Sequence, residues 1–265
     1  MSIETRTAEA LICSLQCNDK GSVVCAGTEN GTITVYKIEE DGVLPIQNLA
    51  HGSSPIFSTL FMDDRIVAGT HDGHLLVWRL NQTEYVFESA ITVFQGCINT
   101  IYECKGSVVC GCSDGRIRKV SLSGEVAAEW FAHKHGVTGV SVYKNYIVSA
   151  GMDSVIKIWK EEDQSLAAEL KEHSKAIRDC RICENPFDVF VIASCSDDGT
   201  LCLFTEEKIG SLEFTVDKHV IGTPCRKIAW SRLDHSVAVG YGQGEVKVFS
   251  PDSICKWKES SSVLP

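Results

Sequence analysis

The chain has 265 residues, 44% hydrophobic and 23% charged, with a formal net charge of −10. That length can bury a core without disulfide or metal staples, and the acidity excludes a general nucleic-acid binder, which needs a basic face. Thirteen cysteines behind a start (MSIETRTAEALICSL) that lacks a basic region and a long apolar run point to a reducing intracellular compartment.

Taken in order, the chain repeats one unit six times. Residues 2–7 form a candidate strand ahead of the first unit. The units align on the turn residues Asn30, Asp72, Asp114, Asp153, Asp198 and Gln243, which stand 39–45 residues apart. Each turn follows a strand rich in small and β-branched residues (VVCAGT, IVAGT, VVCGCS, IVSAGM, IASCSD, VAVGYG). The strand after it ends on Tyr36, Trp78, Val120, Trp159, Phe204 or Phe249, and the large apolar residues at five of these six positions suit the space between blade faces. Glycine follows the turn residue in five units, and Ser154 in the other, as a turn with positive φ favours.

An apolar run precedes the pair, at 56–61, 98–102, 137–142, 177–182 and 226–230. A fourth follows it, at 44–49, 125–131, 166–170 and 209–214, with a last outer strand around 254–258. Four strands recurring every 40–45 residues or so is the signature of a propeller. The expectation is an all-β fold, six blades in a single domain over residues 1–265, with no stretch of the ~18 apolar residues that span a membrane. Too few residues follow the sixth hairpin for a seventh blade. Residues 2–7 either close blade six or lie free.

The best-preserved copy is residues 147–159, IVSAGMDSVIKIW. His133, Ser149 and Asp153 supply the ingredients of a hydrolytic triad. The set recurs in part, however, as His51, Asp72 and Trp78 and as His173, Ser194 and Asp198, and a catalytic site occurs once. His133, Ser149, Asp153 and Trp159 therefore read as a structural tetrad that pairs buried polar groups, and no catalytic residue is expected.

Cys180 and Cys183, three apart on a strand, point to opposite faces and suit no common zinc ion. Cys110 and Cys112 share a face without a second pair nearby. Residues 240–244 (GYGQG) resemble a phosphate-cradling loop but fall on a turn, with no following lysine and helix. Arg116, Arg118 and Lys119 read as a solvated blade edge. No metal or cofactor is expected.

The succession AGMDSVIKIWKEE (150–162), EHSKAIRDC (172–180), IASCSDDGTLCLF (192–204), KIAWSRLDHSVAV (227–239), GEVKVF (244–249) and WKES (257–260) is more particular. So is the order of variants: Val120 in place of a terminal tryptophan, then Trp159 leading WKEE, then Arg178-Asp179. Together they resemble the WD-repeat subunit of the COPII outer coat, the Sec-thirteen family, which also serves in the nuclear-pore scaffold. One departure is that the family's tryptophan-rich outer strands are reduced to Ile228-Ala229-Trp230-Ser231, so the sibling nucleoporin is an alternative.

The resemblance implies a non-catalytic subunit: an open six-bladed propeller that accepts a blade from an elongated α-solenoid partner, in the coat of vesicles running from endoplasmic reticulum to Golgi or in the Y-shaped pore subcomplex. It implies a cytoplasmic location, with membrane contact only through the coat and no nucleic-acid partner. Open blade edges invite strand pairing with another chain. The residues expected there are Leu11, Ile12, Ile33 and Val35 at blade one and Val246 and Val248 at blade six, with Ile3 and Thr5 of the amino-terminal strand. The competing reading is a closed six-bladed adaptor that binds peptides.

Overall fold

In a computed structural model that describes residues 10–183, 189–231, 235–253 and 256–263, 24 strands form six four-stranded antiparallel sheets. The sheets span residues 12–50, 56–92, 98–131, 137–170, 177–220 and 225–263, each built from four consecutive strands paired in order. They are the six blades of a β-propeller. By internal contacts the chain divides into two compact units, Met1–Ser113 with Ile117–Glu129 and Asp114–Arg116 with Trp130–Pro265.

Burial across a blade follows from its sequence. In blade five the second and third strands, Val191–Ser196 and Thr200–Glu206, are apolar or small up to the terminal Glu206 and buried on both faces. The outer strand, Phe214–Val220, alternates with solvent, as a half-exposed strand does. The first unit buries one apolar cluster around Ile33, Val35, Ile66 and Trp78 and another around Val77, Ile98 and Val108. The second unit buries one around Ile158, Ile177 and Phe204 and another around Leu203, Val237 and Phe249.

The turns are tight where the sequence places them. A Cβ on Gly115, at φ +80°, would lie 2.2 Å from the His133 carbonyl oxygen, so no side chain fits. Ser154 takes φ +66° without being glycine, and its hydroxyl donates to the Asp153 carbonyl at 2.6 Å.

Two strand expectations need correction. The outer strand of blade five is Phe214–Val220, not 209–214. Glu206 ends the third strand and accepts the Leu212 N–H at 3.0 Å, Leu212 takes φ +55°, and Ile209 is exposed, so the stretch between is a loop. In blade six the third strand continues through Glu245–Ser253, pushing the outer strand to Lys256–Val263 rather than 254–258. Asp217 of blade five holds the start of that outer strand, accepting the Trp257 N–H at 2.8 Å with Lys256 Nζ at 3.4 Å. The fourth strand of blade six is thus supplied by the carboxy-terminal segment. Residues 2–7, with Ile3 and Thr5, lie outside the described residues.

Candidate partner-binding faces

Blade four contains a directed chain of hydrogen bonds. Trp159 Nε1–H donates to Ser149 Oγ at 2.9 Å. With the His133 tautomer that suits its neighbours, the Ser149 hydroxyl donates to Nε2 at 2.8 Å and Nδ1–H donates to Asp153 at 2.9 Å. The Lys134 N–H donates to the other Asp153 oxygen at 2.9 Å. Burial raises the Asp153 carboxyl, but the hydrogen bonds it accepts from His133 and from the Lys134 and Val155 N–H groups outweigh it and hold the group at about 2. The connectivity is that of a hydrolytic triad, yet His133 and Ser149 are fully buried and the hydroxyl already receives the indole N–H. A substrate carbonyl has no approach to Ser149 Oγ. The arrangement ties the loop before the blade to its second and third strands.

Blade five repeats three members. Ser194 meets His173 Nε2 at 2.7 Å, and His173 Nδ1 meets Asp198 at 3.1 Å. Phe204 stands in the place of Trp159, and Thr200 donates to Asp198 at 2.6 Å. Blade two does not repeat the set. His51 is exposed and stacks on Phe87 at 3.9 Å, while Asp72 takes Thr70 and His74 as partners. The cause is Ala68 in the place of Ser149, which leaves no hydroxyl to join histidine and indole.

Cys180 packs with Phe204 and Ile158, Cys183 with Leu203 and Val239, so the two thiols face different clusters. Arg118 corrects the reading of a solvated basic cluster: it is buried, pairs with Glu129 at 3.0 Å and lies 4.4 Å from the centre of the Phe94 ring. Residues 241–244 form the turn of blade six, with Gly242 at φ +58° and Gly244 at φ +125°.

The residues expected at the open edge divide sharply. Leu11 and Ile12 are 65% and 44% exposed, whereas Ile33 and Val35 are 0% exposed and packed against Ile56 and Ile66. Strand alternation explains the correction. Ile33 and Val35 pair with Gly27 and Cys25 and point toward blade two, while Thr34 and Tyr36, paired with Ala26 and Val24, point the other way.

That other face of blade one is the one every later blade covers. Trp78, Val120, Trp159, Phe204 and Phe249 are buried at the position that Tyr36 occupies half-exposed. Likewise Ile56, Ile98, Val137, Ile177 and Cys225 lead their first strands fully buried, and only Ile12 is exposed. Leu15 and Cys17 extend the open surface and escaped sequence reading. The signal was present, because the repeat register puts Tyr36 where other blades bury tryptophan or phenylalanine.

On blade six, Val246 and Val248 are half-buried. They pair with Gly240 and Ala238, on the face opposite Val237, Val239 and Phe249, which pack against Leu203 of blade five. Among the described residues no helix is long and apolar enough to cross a membrane.

The family model "WD domain, G-beta repeat" matches residues 124–160 and 164–205. The protein transport protein sec13 of Aspergillus fumigatus is 21% identical over 88% of this chain and 89% of its own length. The SEC13 homolog A of Arabidopsis thaliana is 32% identical over 47% of this chain and 42% of its own. The human SEC13 homolog is 28% identical over 57% and 53% respectively. With six four-stranded blades and WD-repeat matches in the best-preserved of them, the chain is a six-bladed WD-repeat β-propeller that is similar to Sec13 proteins of fungi, plants and human.

Proposed function

We propose that the chain is a non-catalytic scaffold subunit of the COPII vesicle coat, holding an elongated α-solenoid partner that adds strands to its uncovered blade faces. The same use in the nuclear-pore scaffold belongs to this reading. It places the protein in the cytoplasm, at membranes derived from the endoplasmic reticulum through its partner alone. The names of the relatives support a role in protein transport. The observation that carries the partner is blade one, whose Ile12, Leu15 and Tyr36 stand open where blades two to six bury the equivalent residues. Open edges of this kind pair with other chains, the main chain supplying affinity and side chains specificity.

The test is a photo-crosslinker at Leu15 in cells, with Leu15→Glu as the matched variant. The expected product is an adduct with a helical-repeat coat subunit on vesicle membranes, lost in Leu15→Glu while the melting temperature is unchanged, since Leu15 is 65% exposed. A chain that stays monomeric and never joins a coat or pore assembly would falsify the reading.

A further inference from the structure

Successive blades meet through a repeated fit of one residue into one seat. A Cβ on Gly27 would lie 2.5 Å from Ile56 Cγ2, and one on Gly69 would lie 2.7 Å from Ile98 Cγ2. These glycines are small because the leading side chain of the next blade rests on them. Ala150 and Ile177 hold the same positions in one buried cluster, Cys195 and Cys225 in another. The seat always stands three residues before the turn residue, and in blade six that residue is Gly240. A Cβ there would meet only the Lys227 carbonyl oxygen, at 3.9 Å. Among the described residues the sixth seat has no occupant.

A second contact stands beside the seat in two blades. In blades one and five the first-strand residue paired with it bonds the main chain of the next blade: Ser14 donates to the Ile56 carbonyl at 3.4 Å, and Asp179 accepts the Ile228 N–H at 3.2 Å. Ser58, paired with Gly69, has no such partner, and Gly139, paired with Ala150, has no side chain. Lys227, paired with Gly240, holds that position in blade six and is exposed. An ammonium group only donates, so the incoming segment must offer it an acceptor.

We infer that the Gly240 seat selects a partner strand led by a β-branched aliphatic residue, isoleucine or valine, with a main-chain carbonyl or carboxylate placed to accept from Lys227. The face continues the series of blade-to-blade interfaces in the chain, and its positive charge complements an acceptor-bearing strand. The inference rests on the scaffold reading above and specifies what that partner presents.

The probe is a disulfide-closed hairpin of residues 56–70, the sequence whose Ile56 rests on Gly27. Its binding to the whole chain is followed through the methyl signals of Val246 and Val248. Saturable shifts are expected, weakened about tenfold or more by Ile56→Gly in the peptide, as loss of a buried aliphatic side chain implies. Gly240→Val in the chain should weaken binding as strongly and leave the melting temperature close to wild type, because no described residue fills the seat. Equal affinity for both peptides, or no shift at Val246 and Val248, overturns the inference. So does a concentration-dependent dimer abolished by Gly240→Val, which would make a second copy the occupant. Coat recruitment is scored separately: if it persists in Gly240→Val while peptide binding is indifferent to the seat, the inference falls and the scaffold reading stands. If peptide selectivity holds without recruitment, the reverse applies.

Discussion

The side-chain amide of Gln47 closes two hydrogen bonds on the main chain of Tyr85, Nε2 donating to its carbonyl at 2.8 Å and Oε1 accepting its N–H at 2.8 Å. One side chain thus imitates a strand, joining the outer strand of blade one, Gly42–Ala50, to that of blade two, Glu84–Thr92. Gln47→Glu keeps the acceptor and turns the donor into a second acceptor facing the Tyr85 carbonyl. A destabilisation of about 1–3 kcal/mol is expected, read by urea unfolding, together with faster exchange of the Tyr85 amide proton.

Ser149→Ala removes the group that serves both the Trp159 indole and His133 Nε2. Two buried nitrogens lose their partner, at a cost of about 2–4 kcal/mol. Trp159→Phe is expected to cost less of the polar contribution, since the histidine and serine stay paired, as they do beside Phe204 in blade five. Thermal denaturation of the two variants side by side checks the order.

Acid should unfold the protein in two stages. His173 is held below its ordinary value by burial, which outweighs the charge and hydrogen bond of Asp198. The unfolded chain therefore binds that proton first, and stability starts to fall as pH drops through about 6.5. Asp153 and Asp198 stand at about 2 in the fold. Their contribution is complete above the unfolded value of about 3.9 and is lost as pH falls toward 2. Urea midpoints measured from pH 7.5 downward should steepen again below about pH 4, and Asp153→Asn with Asp198→Asn should flatten that lower limb.

Native alkylation should discriminate among the thiols. Burial pushes Cys25 to about 12 and Cys97 to about 11, and lifts Cys110 and Cys195 well above the ordinary thiol value. Reaction with iodoacetamide is expected at Cys17 first, which lies half-buried on the open face of blade one. Cys255, outside the described residues, is best replaced by serine for the assay. A partner seated on that face should protect Cys17, and peptide mass mapping with and without a bound partner reads it.

Much of this was legible from turn spacing alone. Asn30, Asp72, Asp114, Asp153, Asp198 and Gln243 mark the six hairpins because a tight turn has few chemical solutions. The tetrad was legible because histidine, serine and aspartate recur in blade five, with the serine four residues before the aspartate in both blades. Other features depend on which face meets a neighbour. Ile33 and Val35 look as suited to an open edge as Leu15 does, and only the pairing of Ile33 with Gly27 shows that they turn inward. Arg118 reads as a surface charge until Phe94 and Glu129 are found beside it. The run 209–214 reads as a strand because sequence alone does not reveal that Glu206 caps Leu212.

Each sheet takes its four strands from consecutive chain, with no strand borrowed from elsewhere among the described residues. During synthesis a sheet can be complete about forty residues after its first strand emerges. Blade one reaches that point first, so its open Ile12 and Leu15 become available while later blades are still on the ribosome. A partner present at that moment could be engaged by the nascent chain, and the apolar edge would then never face solvent unaccompanied.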